Sequence, residues 1–167
     1  MAAPRAERQR QQRREALERA LADPDAPDRE DLCFHDHGEL VAGFAAALEQ
    51  SDLVEACLGW ARYLEEDRDH WLRRLERIEA EPALRARRAA LEAEYLEAFA
   101  VHFRRWGAGG AQGERASELE AACLLGALRG AERLWLRERG RPILPVLVQE
   151  AVGLLWPALY AHARRHL

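Results

Sequence analysis

The chain has 167 residues, a formal net charge of −4, and 49% hydrophobic against 32% charged residues. That length suits one domain able to hide roughly 70% of its unfolded surface, and the balance is that of a globular protein rather than a disordered one. No apolar run approaches the roughly 20 residues a bilayer crossing needs. Met1 is followed by arginines rather than an apolar block, and the acidic balance argues against a general nucleic-acid binder. A cytoplasmic protein is expected. Cys33, Cys57 and Cys123 are odd in number, widely spaced and in no Cys-x-x-Cys pairing, so neither a disulfide framework nor a zinc knuckle is indicated.

The punctuation is helical from end to end, with no alternating β-branched stretch to suggest a strand. Arg5 to Leu21 reads as a charged helix with a thin stripe, Leu17 and Leu21. Ala22 to Arg29, ADPDAPDR, reads as a loop, because two prolines and three aspartates break any helix. His35 to Gln50 puts Leu40, Phe44, Ala47 and Leu48 on one side. Ser51 is then expected to cap a helix running to about Glu66, with the stripe Leu53, Cys57, Trp60, Ala61 and Leu64. Asp67 to Ala80 carries Trp71, Leu72, Leu75 and Ile78 and ends at the Glu81-Pro82 step. Pro82 opens a long helix through Leu84, Leu91, Tyr95, Phe99, His102 and Phe103 to Trp106. Gly107, Gly109, Gly110 and Gly113 read as a flexible break. Two helices close the chain, about Glu114 to Glu138, rich in small residues, and Ile143 to His166, apolar nearly all round. So apolar a helix is either central to the monomer or covered by a partner.

The string RLERIEAEPALRARRAALEAEYLEAFAVHFRRW, Arg74 to Trp106, resembles the middle of the TetR-family body, where one helix ends at a Glu-Pro-Ala-Leu step and a long helix begins. DREDLCFHDHGELVAGFAAAL resembles the segment in which that family enters its connecting helix, and AACLLGALRGAERLWL with the closing apolar helix resembles its final pair. The resemblance covers about Arg29 to Leu167. It implies an all-α bundle of the TetR C-terminal type, divided as a charged N-terminal vestige over 1–30 and a ligand-binding and dimerisation domain over 31–167. It also implies that the last two helices form a four-helix dimer interface, with Leu125, Val148, Val152, Leu155, Trp156 and Leu159 as its apolar surface. Between Arg13 and Asp31 the chain departs from the family. A helix-turn-helix needs about 20 residues, and this stretch offers a proline-rich loop with Asp23, Asp25 and Asp28, which repel phosphate. Sequence-specific DNA reading is therefore not carried over. The arginine arm, Arg5, Arg8, Arg10, Arg13, Arg14 and Arg19, reads as a solvated face or a non-specific nucleic-acid contact.

In such a body the ligand sits inside each subunit, which implies an aromatic lining from Phe44, Cys57, Trp60, Trp71, Tyr95, Phe99, His102 and Cys123 around a small apolar or aromatic molecule. His35, Asp36, His37 and Glu39 form a short run of metal-ligand types, but capping and dipole compensation account for them at a helix start. His162 and His166 at the C-terminus need no metal either. No cofactor motif is present. Two functions remain open. One is a non-catalytic ligand-binding regulator, homodimeric or paired with a full-length TetR-type relative. The other is a pathway enzyme of cyclase or isomerase type, with His102, Tyr95 and His70 as acid and base.

Overall fold

A computed structural model of the chain describes residues 11–12, 15–19, 23, 29–106 and 110–163. Residues 15–19 are helical, and from Arg29 on seven helices follow in order among the described residues: α1 (Arg29–Cys33), α2 (His37–Gln50), α3 (Leu53–Glu66), α4 (Arg68–Ala80), α5 (Pro82–Trp106), α6 (Gly110–Arg137) and α7 (Leu144–Ala163). There is no strand among the described residues, and none of their helices is long and apolar enough to cross a membrane. The ADPDAPDR loop lies outside them except for Asp23 and Arg29, and Arg29 already belongs to a helix. Of the arginine arm only Arg19 lies within them.

Local chemistry explains where the ends fall. Ser51 does not cap α3. Its hydroxyl donates back to the Ala47 carbonyl at 2.8 Å and closes α2, while the Asp52 carboxylate accepts from the Glu55 N–H at 2.8 Å. Both residue types cap well, and the one three places before a free N–H takes the role. At the next junction but one, Glu81 is extended, as a residue before proline must be, and Pro82 supplies the first position of α5. The expected glycine break is shorter than the sequence suggests. Gly110, at φ 84°, already starts α6, and Gly113 is buried within it. At the other end of α6, Gly140 at φ 78° donates its N–H to the Trp135 carbonyl at 2.8 Å.

The two long helices α5 and α6 are joined by a short link, so they double back and pack along their length. α7 lies along α6 and against α3; α2 bridges α3 and α5; α4 packs on α5. The core runs through all of them, with Cys57, Ala61, Phe99, Leu124, Trp135, Leu144, Val148 and Val152 almost wholly removed from water. Each large apolar side chain so buried contributes about 1.5–3 kcal/mol. A second, smaller cluster joins Leu17, Cys33, Ile78 and Leu84. Through Leu17 and a Glu18–Arg73 ion pair at 2.9 Å, residues 15–19 are fastened to the bundle.

Two buried ionic groups are stitched into this core. Arg74, 2% exposed, donates from both terminal nitrogens to Asp36, at 2.9 and 2.6 Å, and lies over the Trp71 ring. Glu132, 3% exposed, lies between Arg88 and Arg129, and Arg129 also meets Glu92 at 2.7 Å. Burial alone would raise both the Asp36 and Glu132 carboxyls. The guanidinium partners outweigh it and hold each below its ordinary value.

Candidate functional site

Helices α2 and α3 diverge from their tight turn at Ser51 and leave a groove of about 910 Å³ between them. Its volume falls within the roughly 300–1,000 Å³ of small-molecule sites. Leu40, Phe44 and Ala47 line it from α2, and Ala56, Trp60 and Tyr63 from α3. Gly43 and Gly59, one on each helix, also line it, and a Cβ added at either would meet no atom within 4 Å. The wall is thus thinned where the two helices face the opening. Asp36, Glu39 and Glu55 supply carboxylates, and among the described residues no arginine or histidine lines the groove. Glu55 pairs with Arg62 at 2.8 Å between half-exposed side chains, and the Arg62 hydrogen bond and charge hold its carboxyl below the ordinary value.

Behind the groove, sharing Leu40 and Trp60 as a wall, is a chamber of about 60 Å³. Tyr95, Arg74, Arg88, Arg129, Glu132 and His37 line it. The ring of His37 meets Tyr95 edge-on at 5.5 Å, and its Nε2 is 3.5 Å from Glu94. An apolar void of about 10 Å³ lies among Phe44, Trp60, Tyr95 and Phe99. Trp60 is common to these three spaces.

Of the ligand-lining residues expected from sequence, Phe44 and Trp60 face the groove, while Tyr95, Phe99 and Trp71 stand around the inner spaces. Cys57 is wholly buried in the core, where burial pushes its thiol up to about 12. His102, on α5, is part-buried with Nδ1 3.2 Å from the Leu48 carbonyl. Burial lowers its pKa. Cys123 does not belong to the lining. It is exposed on α6, because Ala121, Leu124 and Leu125 take the inward side of that turn.

The residues considered for acid and base chemistry are not brought together. Tyr95 lines the chamber, with burial pushing its hydroxyl up to about 12. His70 is buried on α4 beside Trp71 and 3.8 Å from Glu18, and His102 is at the Leu48 end of α2. The metal-type run is likewise dispersed. The His35 Nδ1 lies 2.6 Å from the Leu32 carbonyl, Asp36 holds Arg74, and His37 faces Glu94.

Within the single chain, the residues expected for a dimer's apolar surface are placed as follows. Val148 and Val152 are sealed by the chain's own helices, Leu125 is buried, and Leu155 packs half-buried on the same core. The side chains of Trp156 and Leu159 lie outside the described residues. Helical period separates the two sides of α7. Leu144, Leu147, Val148 and Val152 point inward, and Val146 and Leu154 remain exposed, Leu154 at 83%, as does Ile143 just before the helix.

Set against known protein families, curated proteins and solved structures, the chain finds no match in any of the three.

Sequence reasoning missed Gly43, Gly59, Glu55 and Tyr63 as groove residues. A signal was present. Each of the two helices carries a glycine followed at once by an aromatic, Gly43-Phe44 and Gly59-Trp60, and a glycine inside a helical pattern costs about 1 kcal/mol against alanine, so it usually has a packing or functional reason.

Proposed function

We propose that this chain is a TetR-like small-molecule-binding protein, non-catalytic and without direct DNA reading, whose ligand is a small apolar or aromatic molecule. The groove between α2 and α3 carries the reading. It has the volume of a ligand site, an aromatic and aliphatic floor, and glycines that keep both walls open. Nothing in the arrangement of His70, Tyr95 and His102 favours the enzyme alternative, since they do not share one space.

The chain then acts as half of a pair, either with a second copy or with a full-length TetR-type relative. The outward apolar residues Val146 and Leu154 of α7, with Ile143 just before it, would form the contact together with Leu119 of α6. A heterodimer of this kind would withhold one DNA-reading half from a two-fold operator. Native mass spectrometry of the protein purified from its own host tests both parts. A dimer carrying a small organic mass supports the reading; a bare monomer at high concentration removes it.

A further inference from the structure

The chamber behind the groove carries an unmet donor. Arg74, 2% exposed, lines it; the two terminal nitrogens hold Asp36, but Nε is buried without a hydrogen-bond partner. Buried polar groups are nearly all satisfied, so such an atom calls for an occupant. A second donor stands close by. Tyr95 lines the same chamber, and burial keeps its hydroxyl protonated by pushing it up to about 12, while the charges of Arg129, Glu132, Asp36 and Arg74 all act on it. The arginines around the chamber are already matched, Arg74 by Asp36, Arg88 by Glu132, and Arg129 by Glu92 and Glu132. The donors therefore suit a neutral acceptor better than a further charge, which would have to be buried without a counter-ion of its own.

At about 60 Å³ the chamber has room for several waters or for one small polar head. Leu40 and Trp60 are all that its wall shares with the groove, and Trp60 also borders the void of about 10 Å³ beside Phe44 and Phe99. A half-buried ring bordered by three spaces is the part of a close-packed wall most free to shift.

We propose that the ligand of the groove is a flat aromatic ketone or amide. Its rings lie against Phe44 and Trp60, and its carbonyl oxygen passes between Leu40 and Trp60 into the chamber, where it accepts from Arg74 Nε and from the Tyr95 hydroxyl. The proposal rests on the groove being the ligand site and adds the chemical class of the ligand.

Fluorene and fluorenone, neutral tricyclics of one shape that differ by the carbonyl, separate the possibilities. Fluorescence titration of the full chain is expected to give fluorenone about ten-fold the affinity of fluorene, the effect of two hydrogen bonds of which one comes from a charged donor. Infrared difference spectra should show the bound carbonyl stretch shifted down. Tyr95→Phe, which keeps the ring and removes one donor, cuts the preference for fluorenone to about three-fold and moves the stretch part of the way back. Gly59→Trp, which fills the open wall, removes binding of both compounds; circular dichroism checks that each variant is folded. Equal affinity for the two, lost in Gly59→Trp, means that the chamber holds water only; it overturns the carbonyl assignment and leaves the groove as the ligand site. A preference and a stretch that Tyr95→Phe does not alter overturn the assignment too, because the carbonyl is then bonded elsewhere. Binding that survives Gly59→Trp, or no saturable binding of either compound, overturns both.

Discussion

Replacing Asp36 by asparagine keeps the size of the side chain and removes the charge that Arg74 faces. Arg74 is 2% exposed and both its terminal nitrogens donate to that carboxylate, so the substitution leaves a buried guanidinium without its counter-ion. Breaking such a pair costs about 3–5 kcal/mol, against about 0–1 for an exposed one. The expected loss is about a fifth or more of the roughly 5–15 kcal/mol that holds a domain folded. Urea unfolding followed by far-ultraviolet circular dichroism measures it. With a slope of about 1–3 kcal/mol per molar, the midpoint drops by about 2 M. Adding Arg74→Met to Asp36→Asn should recover much of the loss, because no charge then remains in the core. The pH dependence has a fixed sign. Arg74 outweighs burial and holds the folded Asp36 pKa below its unfolded value, so the pair stabilises fully above about pH 4 and fades as pH falls through the lower folded value. The gap between the natural chain and Asp36→Asn therefore narrows only in acid. A midpoint shift under about 0.5 M at neutral pH, on the same slope, would refute the burial argument.

The thiols give a second check. Cys33 and Cys57 are buried and Cys123 is exposed, so Ellman's reagent should titrate one thiol in the native protein and three in denaturant. Rapid reaction of a second native thiol would contradict the packing around Cys33 of α1 or Cys57 of α3. At Gly140, alanine would adopt a left-handed φ and place its Cβ 2.7 Å from the Arg68 Cδ, and a loss of about 1–3 kcal/mol is expected in the same urea assay. No loss would mean that α6 ends differently. Leu154→Glu should change monomer stability by less than about 0.5 kcal/mol, since the side chain is in water. Analytical ultracentrifugation should show the variant dissociated where the natural chain pairs, and an unchanged dimer would move the contact elsewhere.

Helices were legible because apolar spacing and breakers agree along most of the chain. Pro82 and the residue before it marked the α4 to α5 junction to the residue, and Trp106 marked the end of α5. Less legible were places where two residues compete for one role. Ser51 and Asp52 both cap, and only backbone geometry decides between them. Glycines also mislead, since Gly113 reads as a breaker and is packed inside α6. The closing helix hid its two sides because apolar residues occupy both, so Val148 and Val152 could be assigned outward until the packing against α3 and α6 was seen. For the site, Phe44 and Trp60 could be read from their stripes. The groove between them could not, since it depends on how far α2 and α3 spread beyond the turn. Its carboxylates Glu39 and Glu55 sit outside any apolar stripe and carry no local motif.

Native mass spectrometry of the natural chain beside Gly59→Trp, both purified from the same host, tests ligand binding in the α2–α3 groove most directly. The natural chain should carry a small organic mass that the Gly59→Trp protein, equally folded, does not. The same mass on both proteins would place the ligand outside the groove, and two bare proteins would leave the groove without the role proposed for it.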